Sequence, residues 1–321
     1  MNHSALPVRR PSGTPGARKR WKSLWNSRIL LLMCLPALAF FLVFAYIPMP
    51  GVYIAFVNYM YNKGIFGSPF VGLDNFKFLF ISGDLWRLTT NTVLYNLAFI
   101  LVGNVVQIGL ALLFNELRSR TFRNISQSLM ILPYFISPVL IGLFAYSFLS
   151  YDYGLLNKLL SAAGYTPLEA YSTPWIWPFI IIFTFLWQGA GYGTIIYFAS
   201  IMSVESEVLE ASNIDGANGL QRIRYILLPH LKPTFIILLL FSMGGIMKGN
   251  FGLFYNLVGA SNTMLYENTD IIETFVFRAL MRENNFSLAS AVSLYQSVVG
   301  FALVLAANWV VKKIDKDYSL F

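Results

Sequence analysis

The sequence is short of charge. Asp, Glu, Lys and Arg make up 12% of its 321 residues, about half the share of roughly 25% in an ordinary soluble domain. Hydrophobic residues make up 56%, which excludes a typical soluble protein and also a disordered chain, since disorder needs low hydrophobicity. Cysteine is nearly absent: Cys34 stands alone, so no intrachain disulfide forms. His3 and His230 are the only histidines, and with one cysteine they make no zinc site. The dipeptide Gly-Lys never occurs, so there is no Walker A phosphate loop. Polar and apolar residues do not alternate along the apolar segments; they come in unbroken runs, which disfavours an outer-membrane barrel.

Six long apolar runs are present, over about 28–50, 89–114, 126–149, 174–200, 233–256 and 289–311. A spanning helix takes about 20 residues. The runs therefore predict an all-α membrane protein with six transmembrane helices, its membrane domain covering 28–315. Pro36, Pro138 and Pro178 sit in or near the runs. Such prolines are tolerated where neighbouring helices satisfy the freed carbonyls, which implies bundle packing. Residues 1–27 are polar, basic and rich in Pro and Gly, and read as a disordered tail. The first apolar run is too long for a cleaved signal peptide and ends without a small-residue cleavage site. Leu31-Leu32-Met33-Cys34 loosely resembles a lipoprotein box, but Met33 is the wrong size, and Cys34 reads as a buried apolar thiol.

Orientation follows from Lys and Arg. One side gathers the tail, then Arg118, Arg120 and Arg123, then Arg222, Arg224 and Lys232, then Lys312, Lys313 and Lys316. The opposite loops hold only Lys63, Lys77, Arg87, Lys158, Arg278 and Arg282. Both termini are therefore expected in the cytoplasm. The net charge of +8 is a topology signal and not a nucleic-acid footprint; membrane lipid is the expected surrounding of the spans, and no nucleic-acid partner is expected. No Asp or Glu falls inside an apolar run. Proton-driven carriers usually carry such relays, and no catalytic pair for an intramembrane enzyme is visible. Uphill transport would need energy from another subunit.

The inner loop 201–232 has the most distinctive composition. It reads Glu210-Ala211-Ser212-Asn213-Ile214-Asp215-Gly216 and continues to Ile226-Leu227-Leu228-Pro229. Val204, Val208 and Ala211 recur at helical spacing and predict one apolar face. Gly216 falls where a helix needs a left-handed residue past its end, Asn218 is placed to cap a second helix, and Pro229 and Pro233 are expected to bound the fifth span. On composition alone this is an amphipathic helix pair on the membrane surface.

The pattern E-A-S-x3-G-x9-I-x-L-P resembles the EAA loop of binding-protein-dependent ABC importer permeases, with only Ser212 in place of alanine. Phe70-Val71-Gly72-Leu73-Asp74-Asn75-Phe76, Phe122-Arg123, Leu132-Pro133 and Gly249-Asn250-Phe251 are similar to segments of the carbohydrate-uptake branch, the maltose and multiple-sugar type. The basic tail and Tyr255-Asn256-Leu257 look most like the subgroup that imports polysaccharide fragments. The resemblance implies the type I ABC importer permease fold in the bacterial cytoplasmic (inner) membrane. It implies a non-enzymatic transport subunit that imports oligosaccharides by alternating access. The implied partners are a sister permease in a heterodimer, two cytoplasmic ATPases and an extracytoplasmic sugar-binding protein. ATP and Mg would bind the ATPases, leaving this chain without a cofactor and without a metal site. Glu210, Ala211, Ser212, Asp215 and Gly216 would couple to the ATPase.

Counting back from Glu210 places Gly189 and Tyr192 at the family's sugar-contact positions, with Gln188 beside them and Asn250 in the fifth span as a further contact. Alternatively Gly189, Gly191 and Gly193 are small-residue helix contacts and Tyr192 packs, while Asn96, Asn104 and Gln107 serve as contacts or as interhelical glue. Lys248 is the one charge in the interior of an apolar run, Arg28 standing at the edge of the first. Either its stem snorkels to the outer interface, or it faces the translocation path and attracts an acidic sugar. A permease for a non-sugar solute such as peptides or amino acids is the alternative: its docking loop would be the same, and the first outer loop and the Gly249-Asn250-Phe251 segment favour sugar.

Overall fold

The structure, a computed structural model, describes residues 27–259 and 261–314. The expected tail therefore lies outside the described residues except for Ser27, as does Lys316. The described chain is nearly all-helical, 79% helix without strands, and divides into two units, 1–53 and 54–321. In the first, α1 (Arg28–Phe41) contains Pro36 and runs into a π-helical turn, Leu42–Tyr46. Cys34, expected as a buried thiol, is exposed on this helix. All of α1 after Arg28 is apolar, so burial within the chain is not what its composition requires; lipid solvates such a surface as well.

The second unit holds fourteen further α-helices: α2 (Gly64–Gly67), α3 (Asp74–Ile81), α4 (Asp84–Glu116), α5 (Arg120–Ile131), α6 (Pro138–Leu149), α7 (Leu155–Ala162), α8 (Trp177–Met202), α9 (Ser206–Ile214), α10 (Gly219–Arg222), α11 (Leu228–Met243), α12 (Phe251–Val258), α13 (Tyr266–Thr269), α14 (Ile272–Met281) and α15 (Phe286–Ile314). Five stretches are long and apolar enough to cross a membrane: Arg28–Phe56, Asp84–Glu116, Pro174–Met202, Gly219–Met243 and Phe286–Lys313. A sixth is a bent pair, Arg120–Phe135 with Pro138–Leu149, turned through 96°.

Two expected spans thus differ in shape. The run 126–149 is not one straight helix. Pro138 lacks an amide hydrogen and forces Ser137 out of the helical region, to ψ 148°. The Ser137 hydroxyl then caps the new helix, accepting from Leu140 N at 3.4 Å. The run 233–256 is not continuous either. Pro229 and Pro233 do not bound its start: both lie within a helical stretch that already runs from Gly219, through a π-turn at Ile223–Leu227. The stretch ends at Met243, and the chain resumes as α12 only at Phe251.

Three apolar clusters hold the second unit. One joins α3 and α4 to α14, α15 and Ile246-Met247. A second centres on Tyr95, Phe99, Trp177 and Phe254, with Phe99 stacked on Phe185 at 3.9 Å between ring centres. A third gathers Ala111, Tyr197, Ile201, Leu227 and Leu231. Full burial of a residue such as Leu231 contributes about 1.5–3 kcal/mol in water, whereas inside lipid the same contacts act through close packing. The Phe70–Phe76 motif is a local fold. Gly72 takes φ 61°, Asn75 donates to the carbonyls of Ala55 and Val57 at 2.9 and 3.1 Å, and Phe76 meets Phe56 at 5.7 Å.

Residues 257–288, between the fifth and sixth apolar runs, are mostly helical and tied to α4. Asn91 donates to the carbonyls of Glu267 and Asp270, both at 3.0 Å, and the Tyr95 hydroxyl to that of Asn268 at 2.6 Å. Asp270, with 1% of its side chain exposed, accepts from Arg278 at 3.2 and 2.6 Å and from Thr274 at 2.7 Å. Burial works against the Arg278 charge, but the hydrogen bonds and charge of Asp270 outweigh it, so its pKa is raised. Removing one partner of such a pair strands a buried charge at about 3–5 kcal/mol. Arg278→Met should therefore lower the thermal unfolding temperature of the detergent-solubilised protein markedly. Asp270→Asn combined with Arg278→Met should restore part of it.

Candidate functional site

Loop 201–232 is built by caps. In α9, Glu207 lies in the first turn, where a carboxylate favours the helix N-terminus. At its end Gly216 adopts φ 75°, Gly216 N donates to Asn213 O at 3.2 Å and Ala217 N to Ser212 O at 2.9 Å. This pair of bonds is a Schellman motif. Two residues on, Asn218 and Gln221 exchange side-chain-to-backbone bonds at 2.8 and 2.9 Å, a capping box that opens α10. Arg222 reaches back to Asn213 at 3.1 Å and to Glu116 at the end of α4 at 3.7 Å.

The buried face of α9 is not the expected one. The helix begins at Ser206, and its inward residues are Leu209 and Ser212, packed by way of the third cluster, while Val208 and Ala211 are exposed. Ser212 is buried and donates to Leu209 O at 2.7 Å. Glu210, Asp215, Ile214 and Leu220 face outward, Ile214 at 87% and Leu220 at 74% exposure. The hairpin thus exposes the bulky apolar side chains of Ile214 and Leu220 together with the carboxylates of Glu205, Glu207, Glu210 and Asp215.

The expected substrate contacts separate in space. A cavity of about 490 Å³ lies between α4, α8 and α11. Gly189, Tyr192 and Lys248 line it, together with Asn96, Gln107 and Ser242. Tyr192 is half-exposed and stacks on Tyr134 at 5.1 Å. Gln188 and Asn250 do not line it. The Gln188 amide donates to Ile136 O at 3.1 Å, satisfying a carbonyl at the bend between α5 and α6. The Asn250 side chain caps α12 by accepting from Leu253 N at 3.1 Å.

The three glycines of α8 also divide. A methyl on Gly191 would strike the backbone of Met130 and Ile131, and one on Gly193 would strike Gln107, whereas Gly189 opens onto free space. Gly191 and Gly193 are helix contacts; Gly189 is not. Asn104 accepts from the Tyr197 hydroxyl and joins α4 to α8, and Asn96 donates to Lys248 O at 3.1 Å.

Lys248 sits in the interruption after α11, not on a helix, and is exposed to the cavity. Among the described residues no carboxylate lies within ion-pair distance of its ammonium. Sequence reasoning missed Glu273 and Gln296, which grip this interruption. Gly249 N donates to Glu273 Oε1 at 2.6 Å, and Gln296 Nε2 donates to Glu273 Oε1 at 2.6 Å and to Met247 O at 2.5 Å. No local spacing relates them; only the charge of Glu273 marked it.

The glycine geometry gives a direct check. Gly191→Leu should abolish accumulation of folded protein in the membrane, because backbone stands where the side chain would go. Gly189→Ala should accumulate normally. Membrane yield and size-exclusion profiles in detergent read both.

Residues 103–316 match the family described as "Binding-protein-dependent transport system inner membrane component". Protein LplB of Bacillus subtilis (strain 168) is 32% identical over 309 residues, 96% of this chain and 96% of that protein. The polygalacturonan/rhamnogalacturonan transport system permease protein YteP of the same organism is 34% identical, over 92% of this chain and 91% of that protein. Among solved structures, a chain of a bacterial alginate ABC transporter, in complex with its alginate pentasaccharide-bound periplasmic protein, superposes with a TM-score of 0.83. It is 32% identical, with 92% of this chain and 98% of that chain covered. The two relatives share sequence over nearly the whole chain, and the fold is that of an ABC importer permease. The chain belongs to the binding-protein-dependent transport system inner membrane components and is a multi-pass permease of an ABC importer.

Proposed function

We propose that this permease carries acidic oligosaccharides, fragments of a uronate-containing polysaccharide, through the cavity beside α8. The observation that carries this reading is the unpaired ammonium of Lys248 in a cavity whose other walls include Tyr192, Gly189 and Asn96. A sugar offers apolar C–H faces and many hydroxyls. Tyr192 supplies a flat face, the open space at Gly189 admits a ring close to the α8 backbone, and the amides bind hydroxyls. An ammonium in a membrane-embedded cavity is expensive unless it serves the substrate or a partner. Relatives named for polygalacturonan and alginate transport support an acidic substrate.

In this reading both termini lie in the cytoplasm and residues 28–315 form the membrane domain, preceded by a tail over 1–27. A sister permease completes the translocation path as a heterodimer. Two ATPases, which hold ATP and Mg, bind the hairpin of Glu210, Ala211, Ser212, Asp215 and Gly216, and Ile214 and Leu220 are its apolar anchors. Residues 51–88 and 257–288 face the extracytoplasmic binding protein. Gln188 and Asn250 act on the substrate indirectly, by holding the bend at Ile136 and the start of α12.

Two measurements test this. In proteoliposomes carrying the assembled importer, Lys248→Met should lower the ratio of acidic to neutral oligosaccharide uptake about tenfold, as expected for one charge-assisted contact of about 1.5 kcal/mol or more. An unchanged ratio refutes the acidic substrate. Separately, Ile214→Asp with Leu220→Asp should strip the ATPase from the purified complex while the membrane yield of the permease stays normal; undiminished co-purification would refute docking through this hairpin.

A further inference from the structure

We infer that Glu273 is a positioning residue for the translocation path: its carboxylate holds the interrupted fifth span at Gly249 and thereby presents Lys248 to the cavity. The inference rests on the assignment of that cavity as the path.

The interruption after Met243 frees backbone groups that a helix would have paired. Three of them have a partner from another element. Asn96 on α4 takes the carbonyl of Lys248 at 3.1 Å, Gln296 on α15 takes that of Met247 at 2.5 Å, and Glu273 on α14 takes the amide of Gly249 at 2.6 Å. Gln296 also donates to Glu273 at 2.6 Å, so the last two clamps are one assembly. Lys248 is therefore pinned on both sides: its own carbonyl from α4, its neighbours from α14 and α15. Ile246 and Met247 beside it are buried in the first cluster, so the backbone has no other course.

Two further observations single out Glu273 within this assembly. A methyl on Gly249 would fall on Glu273 Oε2 and Ile271 Cδ1, so the absence of a side chain at 249 is the counterpart of the carboxylate's approach. Glu273 Oε2 is itself buried and has no hydrogen-bond partner among the described residues. An unpartnered buried oxygen destabilises a fold. An apolar side chain would suit packing better, so the group is not explained by packing. What it provides is an acceptor for two N–H groups at the point where the fifth span turns toward the cavity.

The test uses the assembled importer in proteoliposomes. Lys248→Cys is placed in a Cys34→Ser background, where it is the sole cysteine of this chain, and its rate of labelling by a hydrophilic maleimide is measured. Glu273→Ala should lower that rate at least fivefold. Glu273→Gln, which keeps an acceptor oxygen, should stay within twofold of the parent. Gly249→Ala, which displaces the carboxylate without removing it, should behave like Glu273→Ala and carries the test if that variant does not assemble. Unchanged labelling in Glu273→Ala or Gly249→Ala overturns the inference. So does equal loss in Glu273→Gln and Glu273→Ala, which would make charge and not hydrogen bonding the agent. Uptake supplies the second arm: Glu273→Ala should lower the acidic-to-neutral ratio in the parent and add nothing in a Lys248→Met background. If Lys248→Met alone leaves the ratio unchanged, the acidic-substrate reading fails, and the labelling series still decides the role of Glu273.

Discussion

Inside a bilayer no water is present to bond a stray peptide group, and in its second unit this chain departs from continuous helix at two places within its apolar spans. Several of the polar contacts between its helices answer those departures. At the bend between α5 and α6, the carbonyl of Ile136 is taken by the Gln188 amide of α8. At the interruption after α11, Asn96, Gln296 and Glu273 take the groups of Met247, Lys248 and Gly249. Polar side chains from other elements thus stand opposite both breaks, and the second break carries Lys248 on the wall of the cavity.

Close packing serves the same end. Gly191 lets the backbone of Met130–Ile131 touch α8, and Gly193 makes room for Gln107 of α4. One turn of helix therefore carries contacts to two neighbours on some positions and an open face at Gly189 and Tyr192 on others. A rigid wall and a vacant one come from the same short segment, because a residue without a side chain permits either close approach or empty space.

The spans were legible in the sequence because hydropathy reports which residues avoid water. It does not report direction, and so the run 126–149 gave no sign of a 96° turn beyond Pro138 itself. Lys248 in the run 233–256 read as a charge on a helix, although the helix ends at Met243 and Lys248 lies in the interruption that follows. The left-handed glycine and the asparagine cap of the 201–232 hairpin were legible, since both follow from backbone chemistry within a few residues. The inward face of α9 was not: counting from Val204 assumed a helix already under way, whereas it starts at Ser206 and turns Leu209 and Ser212 inward. Gln188 and Asn250 showed only that polar groups were needed; which groups they answer is a matter of three-dimensional position. Glu273 lies 24 residues from Gly249, and only the fold brings them together.

The helical stretch Gly219–Met243 links the capped hairpin to the interruption that bears Lys248. Its 25 residues span about 37 Å at 1.5 Å per residue. One end is locked by the Schellman motif and the capping box, the other by clamps from three helices, so neither end has slack. Along it, the π-turn at Ile223–Leu227 and the missing amide hydrogens of Pro229 and Pro233 are the places where the hydrogen-bond ladder is weakest and the helix yields most easily.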